Sequence, residues 1–108
     1  MDAISIEEGI KRVVNNEALY HRLLKTFSGR KLVDQIIEAV NNGDLEVAAT
    51  SCHALRGTAA NLAMKPLAET VGKIEELIKE SKNPLDMLDT LKENLEAVEE
   101  AIQKITSE

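Results

Sequence analysis

The sequence has few of the residues that favour strands, tight turns and covalent cross-links. Of its 108 residues, 2% are aromatic, 2 are proline, 5 are glycine and 1, Cys52, is cysteine. Scarce proline and glycine favour long uninterrupted helices. Scarce aromatics disfavour a strand-rich protein or a module that stacks nucleic-acid bases. A single cysteine cannot form a disulfide within the chain, so we expect a reducing compartment, most simply the cytoplasm.

Positive charge and long apolar segments are also scarce. The chain has 13 Lys and Arg against 19 Asp and Glu, a net charge of −6. An acidic protein repels the phosphate backbone of nucleic acids and anionic lipid surfaces. No apolar run approaches the roughly 20 residues that span a bilayer, and the acidic start, Met1–Ile4, does not resemble a signal peptide. We therefore expect neither nucleic acid nor membrane as a partner.

What the chain does contain is apolar residues at helical spacing along most of its length, which predicts an all-α protein. Its 44% hydrophobic content is enough for one core, so we expect a single domain over residues 1–108. Five helices are predicted, over residues 6–14, 17–40, 45–62, 66–79 and 84–105. Short loops return the chain in the opposite direction, so we expect an up-down antiparallel four-helix bundle with a short additional N-terminal helix.

The helix boundaries follow from capping residues and breakers. Ser5 with Glu8 three residues later matches a capping box, Asp44 is a good N-cap for the third helix, and Asn83 followed by Pro84 suits the start of the fifth. The pattern of the second helix is interrupted at residues 28–31, which include Gly29. We favour one long helix there, and a kink or break is the alternative.

The third predicted helix separates an apolar stripe from a histidine. The stripe has steps of three and four residues: Leu45, Ala48, Cys52, Leu55, Ala59 and Leu62. At about 100° per residue, His53 falls outside that stripe, toward solvent or a partner. Three of its nearest helical neighbours are small, Ala49, Thr50 and Gly57, and the fourth is Arg56. Glycine is unfavourable in the middle of a helix, so the presence of Gly57 beside His53 indicates a functional site.

These neighbours suit an exposed nucleophilic imidazole. A neutral histidine attacks through one ring nitrogen without a cofactor and titrates near neutral pH. Gly57 leaves room for a phosphoryl group or a bulky partner, and Arg56 can neutralise phosphoryl charge. We found no glycine-rich phosphate loop, kinase signature or recognisable set of metal ligands, so we expect no cofactor, no metal and no kinase activity.

The run His53–Leu62, HALRGTAANL, resembles the phosphorylation motif of histidine-containing phosphotransfer (HPt) domains. That motif reads His, any residue, Leu, Lys, Gly, a small residue and Ala. The resemblance extends over nearly the whole chain, through residues that fit the family's other helices: Ser5–Ile10, Tyr20–Phe27, Gly43–Asp44, Leu67 and Glu75. Two positions depart from the pattern, because Arg56 stands where lysine is usual and Ala63 where glycine is common.

The resemblance implies a role in a two-component phosphorelay. His53 would be phosphorylated on a ring nitrogen, and the phosphoryl group would come from, and return to, an aspartate of a receiver domain. The implied partners are response-regulator receiver domains and a hybrid histidine kinase. The protein would be a relay intermediate and not an enzyme, and we expect a monomer.

Two other functions stay open at this point. A helical adaptor or dimerisation module would need no His53, and the regular apolar spacing of the fifth helix leaves dimerisation open. An enzyme that uses Cys52 or His53 as its catalyst is disfavoured. Cys52 points about 100° away from His53 on the helix, and no carboxylate occupies a neighbouring helical position.

A receiver must cover the histidine during transfer, so we expect an apolar patch around it. From their helical positions the candidate docking residues are Ala49, Ala60, Met64 and Leu67, together with residues of the second predicted helix. The carboxylates of the fourth helix are expected to form a solvated face: Glu69, Glu75 and Glu76.

Overall fold

Helices are the only regular elements in the part of the chain that the computed structural model describes, residues 3–13 and 16–107. In chain order they are α1 (Ile6–Arg12), α2 (Glu17–Lys25), α3 (Gly29–Asn41), α4 (Leu45–Asn61), α5 (Lys65–Lys79) and α6 (Leu88–Thr106), with a 3-10 turn at Leu85–Met87. The all-α prediction is confirmed. The predicted end of the first helix, at Val14 and Asn15, lies outside the described residues. In the described ranges, no helix is both long and apolar enough to cross a membrane.

The prediction of one long second helix is wrong, because the chain breaks between α2 and α3. The Thr26 hydroxyl donates a hydrogen bond of 3.0 Å to the Leu23 carbonyl oxygen, which closes the last turn of α2. Ser28 then precedes α3, which begins at Gly29. The ring of Phe27 lies against Gly29, where a Cβ atom would overlap it. Glycine therefore permits a tight turn that places Phe27 on the core, and the long helix is interrupted there.

Of the N-terminal caps predicted from the sequence, the structure contains some but not all. The Asp44 carboxylate accepts a hydrogen bond from the Val47 N–H at 3.3 Å, which confirms the predicted cap of α4. The predicted capping box of α1 is wrong, since the Ser5 side chain accepts no capping hydrogen bond from the described residues. Glu8 instead forms an ion pair of 2.8 Å with Lys65 at the start of α5. A contact between distant helices has thus replaced the local one.

The start of the last helix also differs from its prediction. Asn83 accepts a hydrogen bond from the Leu85 N–H at 3.0 Å, but the turn that follows Pro84 is 3-10, and α6 begins only at Leu88.

Helix α4 lies at the centre of the packing. It contacts α3 on one side and α5 on the other, and α6 packs on α5 and also on α2 and α3. Helices α3 to α6 therefore close a cycle around one apolar core. The predicted core stripe of α4 is confirmed: Ala48, Cys52, Leu55 and Ala59 are 0% exposed and Leu62 is 6% exposed, while Leu45 is half-buried.

The turn between α4 and α5 fixes how these two helices face each other. Ala63 has a φ of +60°, the left-handed conformation that glycine adopts more readily. Two long-range hydrogen bonds hold the turn. The Tyr20 hydroxyl donates to the Leu62 carbonyl oxygen at 2.8 Å, and the Ser5 N–H donates to the Ala63 carbonyl oxygen at 2.9 Å. The chain thus accepts alanine at a glycine-like position because packing around the turn stabilises it.

Candidate functional site

His53 projects from the outer surface of α4, and its side chain is 72% exposed. Two threonine hydroxyls on the exposed surface of the same helix bond to the helix backbone. The hydroxyl of Thr50 donates to the Glu46 carbonyl oxygen at 3.1 Å, and that of Thr58 to the Ala54 carbonyl oxygen at 3.2 Å. Both hydroxyls are therefore engaged with the helix backbone. The imidazole stands on a surface of small side chains, where a partner can approach it.

Glu75 of α5 is the site residue whose position the sequence prediction missed. It was expected on a solvated face, but its side chain is only 9% exposed. Its Oε2 lies 3.4 Å from Nδ1 of His53, and its Oε1 lies 3.2 Å from Nη1 of Arg56. Glu69 and Glu76 are exposed, as expected. Glu75 follows the core residue Ile74 directly, so it sits at the edge of the buried stripe and faces α4.

The buried carboxylate of Glu75 is balanced by charge. Its Oε1 accepts no aligned hydrogen bond from the described residues, although the Arg56 guanidinium is within ion-pair distance. A buried carboxylate needs a positive partner to offset the loss of water, and Arg56 supplies one while remaining 46% exposed. A positively charged His53 ring would face the other carboxylate oxygen of Glu75, Oε2.

Cys52 shares this region but faces the core. Its side chain is 0% exposed. Burial, followed by the negative charge of Glu75, raises the pKa of the thiol to about 12. Thiolates and not thiols are nucleophilic, so Cys52 is an inert core residue in this structure.

The geometry distinguishes the two ring nitrogens of His53. A carboxylate only accepts hydrogen bonds, so Nδ1, which faces Glu75, is the nitrogen that carries the hydrogen when the two groups interact. Nε2 then keeps its lone pair and can act as a nucleophile toward a group arriving from solvent. The distance of 3.4 Å is long for a hydrogen bond, and such contacts often shorten only when the substrate is bound.

Gly57 lies one turn after His53 with open space around it. A Cβ atom built at this position would meet nothing within 4 Å in the described structure. Packing within the chain therefore does not explain the glycine, and its predicted role in giving access to His53 stays a prediction.

Two of the predicted docking residues are not on the surface. Met64 and Leu67 are 0% exposed, because the turn at Ala63 directs the start of α5 into the core. Ala60 is exposed and Ala49 half-buried. Residues of the second predicted helix were also expected to contribute, and four of them line a depression between the α2–α3 junction and α4. Its lining residues are Leu23, Thr26, Phe27, Ser28, Thr58, Asn61 and Leu62.

Comparison with protein families supports the resemblance noted in the sequence. Residues 26–101, more than half of the chain, match the family model described as Hpt domain. The matched range contains His53, Arg56, Gly57 and Glu75. No curated protein and no solved structure matches the chain.

Proposed function

Because the chain belongs to the HPt domain family, we propose that His53 accepts a phosphoryl group from the aspartate of one receiver domain and passes it to another. HPt domains act in phosphotransfer in two-component phosphorelays, where they interact with receiver domains and histidine kinases. The observation that carries the proposal for this chain is the exposed His53, whose Nδ1 faces the buried Glu75 at 3.4 Å.

In the accepting step, the Nε2 lone pair of neutral His53 attacks the phosphorus of an aspartyl phosphate. The N–P bond forms, the P–O bond to the aspartate breaks, and its electron pair leaves with the carboxylate. Nδ1 keeps its hydrogen, so the ring gains positive charge, which Glu75 offsets from inside the fold. Arg56 offers N–H donors to the phosphoryl oxygens. The donating step is the reverse, toward an aspartate of the second receiver domain.

Receiver docking is proposed on the outer face of α4 and the adjoining depression. Between Glu46 and Lys65 the sequence has one formally charged residue, Arg56. The other exposed positions of α4 are uncharged: Val47, Thr50, Ala54, Gly57, Thr58, Ala60 and Asn61. An uncharged surface around the nucleophile loses little hydration when covered, and exclusion of water protects a labile phosphoryl group. Leu23 and Phe27 replace Met64 and Leu67 as the apolar docking residues.

The remaining expectations form part of the same proposal. The closed cycle of α3 to α6 is interpreted as an up-down four-helix bundle, with residues 1–108 as one domain. The protein acts in the cytoplasm as a monomer and has no kinase activity of its own.

Transfer from receiver domains tests the function. A panel of receivers is phosphorylated with acetyl phosphate and incubated with the wild type, His53→Gln and His21→Gln. His21 is the matched control because it is the other histidine and its side chain is also accessible, at 36% exposed. We expect acid-labile, base-stable label on the wild type and on His21→Gln, and none on His53→Gln. Label on His53→Gln would contradict the proposal, because another residue would then accept the phosphoryl group. Absence of label from every folded variant across the panel would also contradict it and would favour an adaptor.

A further inference from the structure

We propose that Gly72, in the middle of α5, is a positioning residue of the site. Because Gly72 has no side chain, Arg56 can lie across α5 and hold the carboxylate of Glu75 beside His53. This inference rests on the proposed phosphorylation of His53 and adds a residue outside the sequence motif. It follows from the surroundings of Gly72 and from the contacts that lead from it to the imidazole.

Helix α5 does not itself require a glycine at this position. Residue 72 falls at the centre of the helix, where glycine is destabilising relative to alanine. Its backbone is not left-handed, since Gly43 is the glycine with a positive φ. At Gly9 and Gly29 an aromatic ring occupies the place of a Cβ atom, but in the described part of the chain no ring lies there at Gly72. The reason for Gly72 must therefore come from another helix.

Arg56 of α4 is the side chain that lies over Gly72. A Cβ atom built at Gly72 would be 3.6 Å from Cδ of Arg56, which is ordinary van der Waals contact. Both residues line one shallow depression between α4 and α5, together with Glu75. The stem of Arg56 thus occupies the space into which a longer side chain at position 72 would extend.

The path of Arg56 determines where the carboxylate of Glu75 points. Nη1 of Arg56 lies 3.2 Å from Oε1 of Glu75, and Oε2 of Glu75 lies 3.4 Å from Nδ1 of His53. The Glu75 side chain is only 9% exposed, and a buried carboxylate is costly without a cation beside it. If Arg56 were displaced, Glu75 would turn toward water and leave Nδ1.

This arrangement also accounts for arginine at position 56, where the motif usually has lysine. The guanidinium has five N–H donors in a fixed planar fork, whereas lysine has a single ammonium group. With one end of the fork directed at Glu75, Arg56 retains donors for a phosphoryl group on Nε2 of His53. Gly72 leaves the path along which the arginine stem can reach both anions.

The first test measures chemical phosphorylation of His53. All proteins carry His21→Gln, so that His53 is the one histidine, and the phosphodonor is phosphoramidate, which needs no receiver domain. Gly72→Ile adds a side chain that branches at Cβ and is stiff in a helix. Because it displaces Arg56 from Glu75, we expect labelling to slow by roughly fivefold. Gly72→Ala should label at the wild-type rate, since its Cβ stays in ordinary contact with Arg56.

A double-mutant cycle separates positioning from distortion of α5. Arg56→Gln alone should slow labelling, and adding Gly72→Ile to it should slow labelling no further, because the side chain that Gly72 positions is already absent. Distortion of α5 would slow both backgrounds equally and would overturn the inference. Ala97→Ile is the control for the added isoleucine, because Ala97 is an exposed, uncharged helical position on α6. An unchanged rate in Gly72→Ile, or equal slowing in Ala97→Ile, would also overturn the inference.

A second measurement needs no phosphodonor. The Nε–H resonance of Arg56 reports its contact with Glu75 in the unphosphorylated protein. We expect Gly72→Ile to move this resonance toward its position in Glu75→Gln, which breaks the same contact from the other side, and Gly72→Ala to leave it in place. A resonance that does not move in Gly72→Ile would overturn the inference. Failure of every receiver domain to label His53 would contradict the proposed function instead, since neither measurement uses a receiver.

Discussion

Replacing Glu75 by glutamine tests how the site activates His53. The amide has the shape of the carboxylate and an oxygen that can still accept from Nδ1 of His53, so the substitution removes the charge and little else. We expect phosphoryl transfer to and from receiver domains to slow by roughly tenfold, which corresponds to about 1.4 kcal/mol, while the fold stays intact.

The magnitude follows from the distance and the exposure. Two unit charges separated by 3.4 Å interact by about 1 kcal/mol in water and about 5 kcal/mol at an effective dielectric constant of about 20. Glu75 is buried but the His53 side chain is 72% exposed, so the value lies near the lower end of that range. The stability change should stay within about 1 kcal/mol, because losing a buried charge offsets losing its pairing with Arg56.

The assay is single-turnover transfer from a phosphorylated receiver, with urea unfolding as the measure of stability. Glu69→Gln is the control, since Glu69 is an exposed carboxylate on the same helix, and it should leave the rate unchanged. A rate for Glu75→Gln within twofold of the wild type, with the fold retained, would show that the carboxylate does not act on the imidazole. Equal slowing in Glu69→Gln would indicate that net charge, and not contact with His53, controls the rate.

Three further predictions concern the surface, the core and the helix break. Gly57→Leu should fold normally, because a Cβ atom there meets nothing within 4 Å, yet slow transfer from receivers while leaving phosphoramidate labelling unchanged; equal rates with both donors would contradict the access role. Burial raises the pKa of Tyr20 from 10.0 and that of Cys52 from 9.0, each to about 12. The folded state thus holds these protons more tightly than the unfolded state. The urea midpoint should therefore fall as pH rises from 9 to 12, and these two groups should cause no fall below pH 9. A midpoint that rises between pH 9 and 12 would contradict the predicted direction. Gly29→Ala should destabilise the protein by about 1–3 kcal/mol, since its Cβ would overlap the Phe27 ring, and an unchanged urea midpoint would contradict that reason.

The helices themselves could be predicted because their apolar spacing depends on local sequence alone. The break between α2 and α3 could not, because it depends on the ring of Phe27 packing over Gly29 and on the core that receives it. Glycine inside a periodic segment is compatible with a kinked helix or with two helices. Tertiary packing decides between them, and here it favours two.

The site divides in the same way between local and long-range information. The exposure of His53 and the nearness of Arg56 follow from helical geometry within α4, and both were predicted. The role of Glu75 depends on how α5 is rotated against α4, which no spacing within one helix reveals. The enzyme hypothesis was disfavoured by considering only carboxylates on the helix of His53, whereas the carboxylate that reaches the ring comes from the next helix.

The turn at Ala63 explains why Glu75 was missed as a site residue and why Met64 and Leu67 were wrongly placed on the surface. Ala63 in the left-handed conformation starts α5 in an orientation that buries Met64 and Leu67. Continuing α5 from Leu67 at 100° per residue puts Glu75 on the edge of that buried face, opposite His53. The same orientation of α5 therefore buries Met64 and Leu67 and places the carboxylate of Glu75 beside the imidazole of His53. In the proposed complex the receiver therefore docks on α4 and the α2–α3 junction, and α5 contributes charge to the site in place of apolar contact area.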